Sequence, residues 1–330
     1  MTTLTSPHDL LSAVPFLIGY HPENSLVVIA LAGESVGMAM RVDFPLDPDP
    51  EQIDALANHL VKDSCDAALL VSYLPAGVSG ADYVLAPLSE ALEMRGISIR
   101  ESLEIKGERW RSLLCQDKEC CPKAGSAMPD ISSSRVAAEQ VAAGRRLPFR
   151  DLDSLKAALA EGKPDPQLKK LLKQVPDLDY QDSELRLKQR EAAVATIELL
   201  KEFEIQGYSE NKALIALVLA RLEDLQVRDY AMGITTSENI EALGNMWFSL
   251  LRIAPKQYVA PVATLYAAIC YENGDGTLAQ RALDRAFEAD LAYPLAKLLR
   301  RVFAAGWPPE SFAQMRSELH PKICASLFGE

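Results

Sequence analysis

The chain has 330 residues, 48% of them hydrophobic and 24% charged, with a net charge of −12. That length exceeds one ordinary core, so about two domains are expected, and the composition excludes global disorder. The longest apolar runs, Leu26–Ala32 and Ala213–Ala220, fall short of the roughly 20 residues that span a bilayer, and the acidity opposes general binding to nucleic-acid backbones.

Residues 1–9 offer neither a basic nor an apolar stretch, so no signal peptide is expected and the default compartment is the cytoplasm. There six cysteines read as thiols or ligands before they read as bridges. Leu10, Leu11, Val14, Leu17 and Ile18 predict a short opening helix interrupted by Pro15. Gly19 to Asn24, including His21 and Pro22, reads as a turn. Leu26–Leu31 is β-rich and apolar throughout, the pattern of a strand buried on both faces. Gly33–Gly37 predicts a hairpin loop, and alternation at Met38, Met40, Val42 and Phe44 predicts the returning strand. Ile53, Leu56, Ala57, Leu60 and Val61 then recur at helical spacing. Ala67–Tyr73 is a third strand, 82–95 a second helix, and 97–105 and 109–114 two further strands. This order, β-β-α-β-α-β-β, predicts a layered α/β domain with a mixed sheet over residues 1–150.

From residue 151 the strand patterns vanish and strong helix formers dominate. Residues 151–330 are therefore expected to form an all-helical domain, with Gly162–Pro166 as the linker. Helices are predicted near 182–205, 209–224, 236–253, 256–272, 275–289, 293–305 and 308–318, with Thr235 and Glu238 as a capping box. The stretch near 259–299, with Gly274-Asp275 at its turn and Ala279, Leu283 and Ala286 following, matches one tetratricopeptide-like hairpin. Trp307, behind Gly306 and before Pro308-Pro309, could be an exposed hot spot but is expected to be a buried anchor for the last hairpin.

Cys115, Cys120 and Cys121 are the most chemically loaded residues. Three clustered thiols suit a soft metal, with zinc the first candidate and His21, Cys65, Asp117 or Glu119 as a fourth ligand. They also suit a redox pair or packed structural thiols. The surrounding basic residues Arg109, Arg111, Lys118, Lys123, Arg135, Arg145, Arg146 and Arg150 read as a solvated face or an anion pocket. Arg228-Asp229 reads as a salt bridge within the helices. No dinucleotide fingerprint, P-loop or other catalytic motif is recognisable.

Several strings together resemble an actinobacterial family known as domain of unknown function 4192. They are Ala13–Pro22 before Ser25–Val28, Trp110 with Cys115, Cys120-Cys121-Pro122 and Gly125, then Val227–Asp229, Gly274–Gly276 with Leu278-Ala279, and Gly306–Pro309. The resemblance implies an intracellular protein and no particular activity. Two readings stand. One is a non-enzymatic interaction or regulatory module whose helical domain docks a protein partner. The other is a metal-binding or thiol-dependent protein centred on Cys115, Cys120 and Cys121.

Overall fold

The computed structural model describes residues 3–62 and 65–329. The chain divides into two compact units, Met1–Leu155 and Lys156–Glu330. Each has its own core.

The first unit opens with α1 (Pro7–Ile18). Ser6 caps it by accepting the Asp9 N–H at 3.2 Å, and Pro7 fills the first turn, where no N–H is needed. The helix runs through Pro15 rather than breaking there, and Gly19 ends it at φ +86°. Strand β1 (Ser25–Ala32) then pairs antiparallel with β2 (Ser35–Asp43). Their connection is tighter than the predicted five-residue loop. Ala32 pairs with Ser35, so only Gly33 and Glu34 turn the chain, with Gly33 at φ +62° supplying the left-handed backbone.

Helix α2 (Pro50–Lys62), β3 (Ala67–Tyr73), α3 (Asp82–Glu93) and β4 (Ser98–Lys106) follow. β3 lies antiparallel to β1 and parallel to β4. β5 (Arg109–Ser112) returns along β4, and the two-residue β6 (Ser126–Ala127) pairs with β5. The result is a mixed six-stranded sheet in the order β2-β1-β3-β4-β5-β6. Leu26, Val28 and Ala30 of β1, with Ala68 and Leu70 of β3, pack against Leu60, Val84, Leu88 and Leu92 of α2 and α3. Each fully buried leucine or valine contributes roughly 1.5–3 kcal/mol. Val27, Ile29 and Val71 on the other face are also fully buried. Two helices end the unit, α4 (Arg135–Ala142) and α5 (Leu152–Leu159), the latter crossing into the second unit.

Lys156–Glu330 is helical: α6 (Pro166–Leu172), α7 (Leu185–Gln206), α8 (Lys212–Arg221), α9 (Leu225–Gly233), α10 (Ile240–Ile253), α11 (Lys256–Glu272), α12 (Gly276–Ala289), α13 (Pro294–Ala304) and α14 (Pro309–Phe328). α11 is the central post, buried from Tyr258 to Tyr271. Tyr271 stacks on Phe303 at 3.9 Å, and Phe312 meets both rings edge-on.

Five local expectations are corrected here. Gly162–Pro166 is held inside the second unit: the Gly162 N–H donates to the Arg252 carbonyl at 2.6 Å, where a Cβ would meet that oxygen at 2.9 Å. α9 is an additional helix, started by Asp224, whose Oδ1 accepts the Gln226 and Val227 N–H groups at 2.9 and 3.0 Å. Thr235 caps nothing. It donates to the Met232 carbonyl at 3.1 Å, and the reciprocal pair is Thr236 with Asn239. Trp307 is 43% exposed rather than buried, although its carbonyl accepts the Tyr271 hydroxyl. α14 also extends through Pro321 to Phe328.

Candidate metal centre

The thiols occupy the connection from β5 to β6, at one edge of the sheet. Two residues fix its ends. Ser112, the last residue of β5, accepts the Leu114 and Cys115 N–H groups at 3.2 and 3.1 Å and donates to Glu101 of β4 at 2.7 Å. Gly125, before β6, is buried at φ +74°, and a Cβ there would lie 2.9 Å from the Trp110 carbonyl. Arg109 reaches across the hairpin, its Nε donating to the Ala124 carbonyl at 2.7 Å and the Gly125 carbonyl at 3.1 Å.

Between these clamps the chain folds on itself. Asp117 Oδ1 accepts the Glu119 N–H at 2.8 Å, and the Asp117 carbonyl accepts the Cys121 N–H at 2.8 Å. This turn brings Cys120 and Cys121 back over Cys115. The three sulfurs lie within 4.8 Å of one another, with Cys120 Sγ and Cys121 Sγ 4.0 Å apart. Cys120 is exposed, and Cys115 and Cys121 are half-buried. Hydrogen bonding and repulsion from Cys121, then from Cys115, push the Cys120 thiol up to about 11.

These dimensions fit a soft cation. A tetrahedral zinc with Zn–S bonds of about 2.3 Å sets its sulfurs about 3.8 Å apart, so the thiols need to close by under about 1 Å. Packed structural thiols belong in apolar surroundings, which an exposed Cys120 does not have. The convergent group contains only these three residues among the described ones. A fourth coordination position would fall to water or to a group from outside this cluster.

His21 is not a member of the group. It follows the end of α1, where its N–H donates to the Phe149 carbonyl at 3.0 Å and burial lowers its pKa. The segment from Gly19 to Asn24, expected to be a turn, instead runs alongside Phe149: Tyr20 makes a parallel bridge to it, and the chain bends at Gly19 and at Asn24, where φ is +47°. His8 instead lies against the Trp110 ring, 5.3 Å between centroids. Several surrounding arginines are committed: Arg109 to the hairpin carbonyls, Arg111 to buried Glu104 at 2.9 Å, Arg135 to Asp9 and Glu139, Arg150 to Asp151. Arg228 pairs with Asp229 at 2.6 Å, as the sequence suggests.

A cysteine–histidine pair does exist, elsewhere. Cys324 Sγ lies 3.4 Å from His320 Nε2, one turn apart on α14. Burial, and then the Arg316 charge, lower the His320 pKa. The i,i+4 spacing was the available signal for this contact.

Residues 7–310 match the model of a family described as a domain of unknown function (DUF4192). No curated protein and no solved structure matches the chain.

Proposed function

The chain belongs to this family of unknown function, and from that premise we propose that it is a soft-metal-binding protein. Cys115, Cys120 and Cys121 hold a zinc-class cation at the sheet edge. The convergence of three sulfurs within 4.8 Å on a solvent-facing loop carries this reading. Three thiolates around a divalent ion leave a net charge of −1, which the nearby Lys118 and Lys123 offset. Thiolate donation makes such an ion a weak activator of water, so the centre suits binding and exchange of a fourth ligand better than hydrolysis. His21 is the histidine the sequence offers as that ligand, and its half-buried place, with its N–H held by the Phe149 carbonyl, argues for a structural role after α1 instead. Native mass spectrometry of untagged chain tests the proposal: one zinc per chain is expected in the parent, and none in the triple Cys→Ser variant. Equal metal content in the two proteins refutes it.

A second reading concerns the helical unit. α11 and α12 form a hairpin across Asn273–Asp275, with Ala279, Ala282 and Ala286 buried at its seam. This supports a tetratricopeptide-like pair serving as an interaction module. Leu291, Leu298 and Trp307, 77%, 56% and 43% exposed, are the side chains a protein partner would cover. Substituting all three with serine in the full chain should abolish partner capture; unchanged capture removes this reading.

A further inference from the structure

The second unit holds three buried arginines, Arg221, Arg228 and Arg316, each under 8% exposed. Two are fully compensated. Arg316 makes a two-pronged pair with Glu272 at 2.6 and 2.9 Å and donates to the Gly233 and Thr235 carbonyls. Arg228 pairs with Asp229 and reaches the Tyr293 hydroxyl. Arg221 differs. Its only hydrogen bond runs from Nη1 to the Pro176 carbonyl at 2.7 Å, its Nε has no partner, and no carboxylate forms an ion pair with it among the described residues.

A guanidinium cannot shed its proton to escape burial, and an uncompensated buried ion costs several kcal/mol. The nearest buried carboxylate in sequence, Asp224, is already committed. Its Oδ1 caps α9 and its Oδ2 accepts from Gln189 Nε2 at 2.9 Å. Arg221 therefore has a buried donor, Nε, that the chain itself does not satisfy.

Arg221 also lines a cavity of about 480 Å³, bounded by the end of α6, the segment from Val175 to Tyr180, the end of α8 and the start of α11. Ligand sites span roughly 300–1,000 Å³. Lys169 and Lys173 stand exposed at its rim, and Tyr180 and Tyr258 form part of its wall. Its remaining carboxylates, Asp177 and Glu223, sit at the exposed rim, where partial desolvation and the Asp177 charge raise the Glu223 pKa. Asp177 thus repels Glu223 at the rim, and neither forms an ion pair with Arg221.

We propose that this cavity binds a small oxyanion, a phosphate- or carboxylate-bearing metabolite, with Arg221 as the buried anchor and Lys169 and Lys173 as outer contacts. Guanidinium donors match planar and tetrahedral oxyanions in two-pronged geometry, and the tyrosines give the rest of the molecule a semi-polar wall. The site lies in a different core from the thiols and does not depend on the metal reading.

Calorimetric titration of the full chain tests it, with inorganic phosphate and with malonate as probes, at ionic strength held constant with chloride. Saturable binding of at least one probe is expected, and which one saturates identifies the head group. Two variants accompany the parent: Arg221→Gln, used only if circular dichroism shows it folded, and Lys169→Ala/Lys173→Ala, which alters exposed side chains only. A loss of about tenfold or more in affinity in either folded variant carries the assignment. Absence of saturation with both probes, or parental affinity in every folded variant, overturns it.

Discussion

Gly125→Ala should both destabilise the sheet edge and disable the thiol cluster, and its cost separates into two parts. The residue sits at φ +74°, where alanine loses roughly 1–2 kcal/mol to its own Cβ. That Cβ would also stand 2.9 Å from the Trp110 carbonyl and 3.3 Å from Arg109 Cβ. The carbonyl cannot step aside easily, because Trp110 is paired with Ser126 on one side and Ile105 on the other. Overpacking of this kind costs roughly 1–3 kcal/mol, for a total of ~2–5 kcal/mol. Gly107→Ala is the matched control. It lies at φ +59° in the β4–β5 turn with nothing within 4 Å of its Cβ, and should show the backbone part alone. Amide exchange of β4 and β5 against urea reads the local stability, and zinc titration reads the thiols. Gly125→Ala should lose more than Gly107→Ala and also lose zinc affinity. Equal stability losses, or unchanged zinc affinity in Gly125→Ala, would refute the claim that this glycine sets the thiol spacing.

Arg316→Met should cost roughly 3–5 kcal/mol by stranding Glu272 in the core, and the Arg316→Met/Glu272→Met pair should recover most of it in urea unfolding. Gly233→Ala should lose roughly 1–3 kcal/mol through overpacking, since a Cβ on α9 would collide with the His320 ring of α14; His320→Ala should abolish that loss, which a double-mutant cycle measures. Metal-free protein should lose stability as pH rises from about 9 to about 11, because the folded state keeps the Cys120 proton, with its pKa pushed up to about 11, after the unfolded chain has released it. Cys120→Ser should flatten that slope in unfolding curves taken across the window.

Periodicity made most of the sheet legible. Leu26–Ala32 and Ala67–Tyr73 are apolar on both faces because both strands are interior, covered above and below. β6 was not legible, since a two-residue ladder carries no repeat. Its place depends on Arg109 reaching across to the Ala124 and Gly125 carbonyls. Trp307 misled because a large aromatic next to a helix stop reads as an anchor, whereas here its backbone carbonyl makes the contact and the ring stays partly outside. Arg221 had no sequence signal at all. At the end of an apolar run it reads as a side chain stretching to water, and only tertiary packing shows that it never arrives.

The thiol spacing is built by groups that need no metal. Ser112 anchors the near end, Arg109 and Gly125 the far end, and the Asp117 turn folds the middle. In small zinc domains, by contrast, metal binding supplies the folding energy because no site exists beforehand. Here β1, β3 and β4 have their own apolar core on α2 and α3, so metal should add stability by mass action without being required for the fold. Chelation should therefore leave the far-ultraviolet circular dichroism unchanged while amide exchange quickens in residues 113–125. Collapse of the sheet signal on chelation would mean that the metal builds the edge, and that the clamp at Arg109 and Gly125 is a consequence of binding rather than its cause.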